Sequence, residues 1–284
     1  VIAALLGVVV GALCGGALWV AFRPSLQVAA LARTNYRGVP LITAAGVLVP
    51  ITMVLLAGFV RLMILITDRK PDWDQLIGPS VAAAVGFSLL GLLDDVLGEG
   101  QSGGFRGHLA ALREGRLTSG MVKLMAGGAV ALVVSSGLAR GDEGLVGALR
   151  DGAVVALAAN LANLLDRAPG RAVKACAVAF AVSMAASRSP TLAAPAAGLG
   201  AGLALLPDDL SERVMLGDAG ANCLGALCGM AALVAVPAAE GRWVLLVALA
   251  AANAVSEVVS FSRVIDAVGP LRWFDRLGRR AREG

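Results

Sequence analysis

Long unbroken apolar runs, separated by short polar breaks, set the pattern of this chain. They cover residues of about 1–22, 42–66, 76–93, 119–139, 150–165, 173–187, 191–206, 219–238 and 243–261. The runs are continuous, whereas the strands of a membrane β-barrel would alternate apolar and polar positions. Stretches of roughly 17–25 apolar residues match the length a helix needs to cross a bilayer. The pattern therefore predicts an all-α polytopic membrane protein with about nine transmembrane helices. The fifth to seventh runs are short and rich in Ala and Gly. Residues 1–261 read as a single transmembrane helical domain and 262–284 as a cytoplasmic, basic, amphipathic tail. The tail mixes Leu271, Trp273 and Phe274 with arginines, which suits the surface of the lipid bilayer. The chain opens on Val1, and its first run reads as a span rather than a cleavable signal.

Composition supports this class. Hydrophobic residues make up 58% of the chain and charged ones 15%, with a mean hydropathy of +0.80. Soluble domains carry about 25% charged residues. The four cysteines, Cys14, Cys176, Cys223 and Cys228, lie inside apolar runs without CxxC spacing and read as small core residues. The net charge of +4 reads as a topology signal, not as affinity for nucleic acid. One set of connections holds Arg23, Arg33 and Arg37; Arg106, Arg113 and Arg116; Arg167, Arg171 and Lys174; Arg213; and the tail arginines. The alternate set is sparse: Arg69 and Lys70, Arg140, Arg188 and Arg242. Positive loops stay in the cytoplasm, so the N-terminus is expected outside and the C-terminus in the cytoplasm. The Arg-rich, Ala/Val/Gly-rich usage hints at a bacterial source and hence a bacterial inner membrane.

Three polar motifs fall on the predicted cytoplasmic face. Asp94 and Asp95 end the third run. A helix C-terminus carries partial negative charge, so two anions there need a cation to offset them. They diverge by about 100° on a helix, so one could meet a metal and the other a proton or a basic group. The alternative is a solvated boundary that stops the span. Asn160, Asn163 and Asp166 follow at i, i+3, i+6, along one stripe at the end of the fifth run. Amides within a membrane need partners in the bundle or a cavity; interhelical hydrogen bonding is the alternative. Arg171 and Lys174, beyond the Pro169-Gly170 break, suit phosphate contacts. Gly217, Asp218 and Gly220 open the eighth run. Free amides and glycines there suit an anion or a diphosphate, and a carboxylate beside them suits Mg²⁺; simple N-capping by Asp218 is the alternative. His108 lies in a basic loop as a further candidate.

In order and on one face, these motifs resemble the polyprenyl-phosphate N-acetylhexosamine-1-phosphate transferase family, which includes phospho-N-acetylmuramoyl-pentapeptide transferase. The family's paired aspartates match Asp94-Asp95, its Asn-x-x-Asn-x-x-Asp stretch matches Asn160, Asn163 and Asp166, and its Gly-Asp-x-Gly turn matches Gly217, Asp218 and Gly220. "TNYRGVPLITAAGVLV", from residue 34, looks like its first cytoplasmic loop, and Lys123 resembles a lysine near the nucleotide. The resemblance implies transfer of a sugar 1-phosphate from a UDP-amino sugar to a polyprenyl (undecaprenyl or decaprenyl) phosphate, releasing UMP, in cell-envelope polysaccharide or peptidoglycan synthesis. It implies Mg²⁺, or Mn²⁺ in its place, held by Asp218 and Asp95. Asp94, Asp95 and Asp166 would be catalytic, and Asn160, Asn163, Lys123, Arg171, Lys174, His108, Gly217 and Gly220 would contact substrates. A homodimer is compatible with this reading. The chain departs from the family where it reads Asp166-Arg-Ala-Pro169-Gly, without a second acid, and it lacks the late histidine cluster. Two rival readings follow: a catalytically silent relative that binds polyprenyl phosphate or a membrane partner, and a transporter. Clustering of the acids at one membrane edge disfavours the transporter, whose ionisable groups belong near the midplane.

Overall fold

A computed structural model describes residues 1–28, 31–34, 38, 40–97, 119–138 and 144–280. The described residues are mostly helical: α1 (Ile2–Phe22), α2 (Leu48–Thr67), α3 (Ile77–Leu97), α4 (Ser119–Ser136), α5 (Gly144–Leu165), α6 (Arg171–Ala186), α7 (Ala193–Leu210), α8 (Gly217–Ala235), α9 (Ala239–Ser256), α10 (Phe261–Ala267) and α11 (Gly269–Arg276). Each of the nine apolar runs is thus a helix. Among the described residues six segments are long and apolar enough to cross a membrane: Ile2–Phe22, Ala45–Thr67, Asp74–Val96, Gly144–Leu165, Pro190–Leu210 and Gly217–Ala235. A seventh is added if Ala239–Ser256 and Phe261–Ala267, bent by 93°, form one span. The 16-residue α6 is shorter, and within the 18-residue α4 the continuous stretch with described side chains, Met125–Ser136, is apolar.

Hydropathy places the start of α5 too late. The helix begins at Gly144, not near 150, because Arg150 and Asp151 are buried inside it rather than marking its end. Arg150 Nε lies 2.9 Å from Asp151 Oδ1, and Arg242 of α9 pairs with the other carboxylate oxygen. Opposite charges satisfied within the bundle are tolerated where a single one would not be.

α8 is the central helix, packed against α3, α5, α6 and α7. Of its apolar window 78% is buried, against 17% for the peripheral α1. Lipid tails are as apolar as leucine, so helices in a membrane associate through close packing and small residues. α1 meets α7 in this way: Gly7, Gly11 and Gly15 form a stripe against Ala193, Ala197 and Ala201. A small antiparallel hairpin, β1 (Ala32–Thr34) with β2 (Pro40–Ile42), precedes α2, and Ile42 also bridges Val214 just before α8. The C-terminal ends of α1, α3, α5 and α7 and the starts of α2, α6 and α8 meet at one end of the bundle. Trp19 Nε1 donates to Asp208 Oδ2 at 2.8 Å, joining α1 to α7, and Gly170 N donates to Asp209 Oδ2 at 3.0 Å, joining the α6 entry to α7.

Candidate functional site

The adjacent aspartates at the end of α3 find their explanation in α8. Asp218 N donates to Asp95 Oδ1 at 3.1 Å, and Ala219 N donates to Asp95 Oδ2 at 3.0 Å. Thr43 Oγ1 donates to Asp95 Oδ1 at 3.4 Å. Asp95 therefore caps the start of α8 from a different helix, where the α8 dipole favours an anion. At the end of α3 itself, Arg33 Nη2 donates to Val96 O at 3.2 Å and supplies a cation. This contact requires the two backbones to approach closely. Gly91, one turn before Asp95, permits it: a Cβ there would lie 2.2 Å from Asp218 O. Gly217 supplies the turn into α8 with φ +74°.

Beside this junction lies a cavity of about 300 Å³. Asp95, Asp166, Asp209, Glu212 and Asp218 line it, with Arg167 as the basic member among the described lining residues. These side chains come from the ends of α3, α5 and α7, the turn after α7, and the start of α8. Asp209 accepts from Gly170 N and so closes the 166–170 turn, in which Gly170 has φ +70°. Burial, together with the negative charges of Asp209, Asp218 and Asp95, pushes the Asp166 carboxyl well above the usual range.

The structure brings together four of the sequence candidates: Asp95, Asp166, Gly217 and Asp218 line the cavity. Asp94, half-buried and about 100° around α3 from Asp95, is not among its described lining residues. Asn163 reaches α8 instead, with Nδ2 donating to Asn222 Oδ1 at 3.3 Å. Asn160 is exposed and donates to Asn253 Oδ1 of α9 at 2.7 Å. These are the helix-to-helix bonds of the alternative reading. Gly220 is a packing residue; a Cβ on it would lie 2.7 Å from Gly46 Cα. The first amides of α8, expected to face an anion, are taken by Asp95.

Arg171 and Lys174 are engaged elsewhere. Arg171 donates to both carboxylate oxygens of Asp275 at 2.8 and 3.1 Å, and Lys174 Nζ to the carbonyls of Phe274 and Leu277 at 3.0 and 3.2 Å. Burial alone would raise the Asp275 carboxyl, but Arg171, Arg279 and Lys174 hold it below the usual range. A buried carboxylate and the backbone carbonyls of the tail thus claim the cations expected at phosphates. His108 lies outside the described residues, as does the side chain of Lys123.

Sequence reasoning missed Asp209, Glu212, Thr43 and Arg167 as site residues. A signal existed for Asp209: Asp208-Asp209 ends an apolar run just as Asp94-Asp95 does.

The acidic excess at the cavity fits a hard cation bound through oxygen. Among the described residues no group of three His, Cys, Asp or Glu side chains is arranged to hold a metal. One or two carboxylates with ligand and water oxygens would complete the shell, as is usual for Mg²⁺. Asp218 and Asp166 suit this better than Asp95, whose two oxygens already accept the α8 amides. The sequence matches no protein-family model, and a search among curated proteins finds no match.

Proposed function

We propose that the protein is a phosphoglycosyl transferase of the bacterial inner membrane. It would transfer a sugar 1-phosphate from a UDP-amino sugar to a polyprenyl phosphate at the cytoplasmic face and release UMP. The observation that carries this reading is the cavity at one end of an apolar bundle, where four carboxylates from separate helix ends converge. Such a site needs positive charge from a bound partner, which a divalent ion held by Asp218 and Asp166 would supply beside a diphosphate. The end of the bundle is also where a membrane-embedded lipid phosphate can meet a water-soluble nucleotide.

The residues divide the work by their surroundings. Asp218 and Asp166 are the carboxylates best suited to Mg²⁺ or Mn²⁺, which when bound neutralises charge on the donor diphosphate. Asp95 orients the first turn of α8 and so positions Asp218. Asp209 holds the 166–170 turn and with it Asp166. Arg167 is suited to a substrate phosphate. The acceptor is a phosphate monoester, already largely ionised at neutral pH with a second pKa of about 6. A strong general base is unnecessary, and positioning with charge neutralisation suffices.

Purified protein given labelled UDP-N-acetylglucosamine, undecaprenyl phosphate and Mg²⁺ is expected to form a labelled lipid and UMP. Asp218→Asn should lower turnover by about 10²-fold or more while the protein stays folded. Full turnover by that variant would remove Asp218 from the reaction.

One observation favours a second reading, a catalytically silent protein that binds polyprenyl phosphate or a membrane partner. The two cations expected at the phosphates, Arg171 and Lys174, are tied to the tail. Failure to release UMP across a panel of UDP-sugars would favour it.

A further inference from the structure

The chain turns by 93° between α9 and α10. α10 therefore runs across the end of the bundle rather than along it, and α11 is held at the end with the cavity: Arg171 at the start of α6 donates to Asp275, and Arg279 Nε, just past α11, donates to Pro169 O at 3.0 Å. One side of α11 is fixed ionically. Asp275, 5% exposed, accepts from Arg171 at 2.8 Å and also pairs with Arg279. That seat leaves the other side unexplained. Trp273 is 67% exposed and Leu277 50% exposed, four residues apart and so on one stripe. Arg272 and Arg276, also exposed, form the neighbouring stripe about 100° away. Both arginines touch Asp266, but the Arg276 pair is 3.7 Å long with each side chain more than half exposed, so it competes weakly with another anion.

An apolar stripe beside a basic one, on a segment held at the end of membrane-length helices, fits the boundary between headgroups and acyl chains. We propose that α10–α11 is a strap on an anionic phospholipid surface, with Trp273 and Leu277 among the acyl chains and Arg272 and Arg276 on lipid phosphates. The clamp around Asp275 fixes this strap to the start of α6 and, through Arg279, to the 166–170 turn. The inference does not rest on the transferase reading; it needs only the membrane-length helices.

The test uses the full chain in nanodiscs of phosphatidylcholine, with or without phosphatidylglycerol, carrying brominated acyl chains. The Trp273 signal is the difference between the protein and its Trp273→Phe variant. In phosphatidylglycerol discs this signal should be blue-shifted and quenched at least twofold. Arg272→Gln with Arg276→Gln, both at the surface, should remove most of the quenching, as should high salt. A Trp273 signal that stays unquenched and water-like overturns the proposal. Equal quenching in both lipids, unchanged in the double variant, rejects the anionic surface as the partner. A blue-shifted but unquenched signal that disappears on dilution identifies a second copy as the covering partner and also overturns it.

Discussion

Asp166 shows how a single residue can report the state of the cavity. Its carboxyl is pushed up by burial and by Asp209, Asp218 and Asp95. In the unfolded chain it would ionise near pH 4. The native state therefore holds a proton that the unfolded state releases, over the range from about pH 4 to the raised native value. Stability from this group is complete below that range and falls as pH rises through it. Thermal unfolding of detergent-solubilised protein should show this decline when divalent ions are chelated. Asp166→Asn should flatten the slope, since an amide carries no charge to desolvate. Mg²⁺ should reduce the slope in the parent protein and have less effect in the variant. A slope identical in parent and variant would mean that Asp166 does not feel its neighbours. Asp95 makes the complementary point. Beside the carboxylates of the cavity it also meets the first amides of α8, and two hydrogen bonds from them give its carboxylate a defined place at a helix start.

At the scale of elements, glycine decides which helices touch. A Cβ on Gly11 would lie 2.0 Å from Ala197 O, a backbone atom that cannot swing aside. Gly11→Val should therefore separate α1 from α7 and destabilise the fold by about 1–3 kcal/mol or more. Gly58 on α2 meets nothing within 4 Å, so Gly58→Ala should be neutral or stabilising by about 0.5–1 kcal/mol. Unfolding midpoints of the two variants, measured in one detergent, check the contrast. The same elements show what the sequence makes legible. Hydropathy is a local property, and it finds each of the nine longer helices, α1 to α9. The positions of Asp95, Asp166 and Asp218 at helix ends follow from those runs and the alternation of charged loops. Pairing across distance does not follow. Asp275 lies 104 positions beyond Arg171, and no local pattern announces that the tail will claim it. The start of α5 is misread for the same reason, since Arg242, which pairs with the α5 residue Asp151, lies 91 positions away. Asn160 and Asn163 share a stripe as expected, yet their partners on α9 and α8 make them links between helices.

For the whole molecule the open quantity is how many helices cross the membrane. Among the described residues six meet the requirement by length and composition, or seven with the bent pair, whereas the sequence pattern predicts nine passes. The difference rests on α4 and α6, and also on α9 where the bent pair is not one span. At about 1.5 Å per residue, the 16 residues of α6 reach roughly 24 Å, short of a hydrocarbon core of about 30 Å. A short span can be accommodated by local thinning of the bilayer at modest cost. The junctions at the cavity support crossing. The start of α6 lies at the Asp209 end of α7, and α7 begins only a few residues after α6 ends, so the two helices run antiparallel. If α7 crosses, α6 returns the chain over the same depth. By the positive-inside rule Arg188, exposed after α6, would then face outside, and Arg213, exposed after α7, would face the cytoplasm. In intact cells a membrane-impermeant maleimide should label Arg188→Cys, and it should label Arg213→Cys only after permeabilisation, with labelling of the four native cysteines subtracted. Labelling of Arg188→Cys only from the cytoplasmic side would leave α6 as a helix that does not cross. The alternation of basic loops would then no longer set the orientation, and the cavity would have to be assigned to a membrane face by another route.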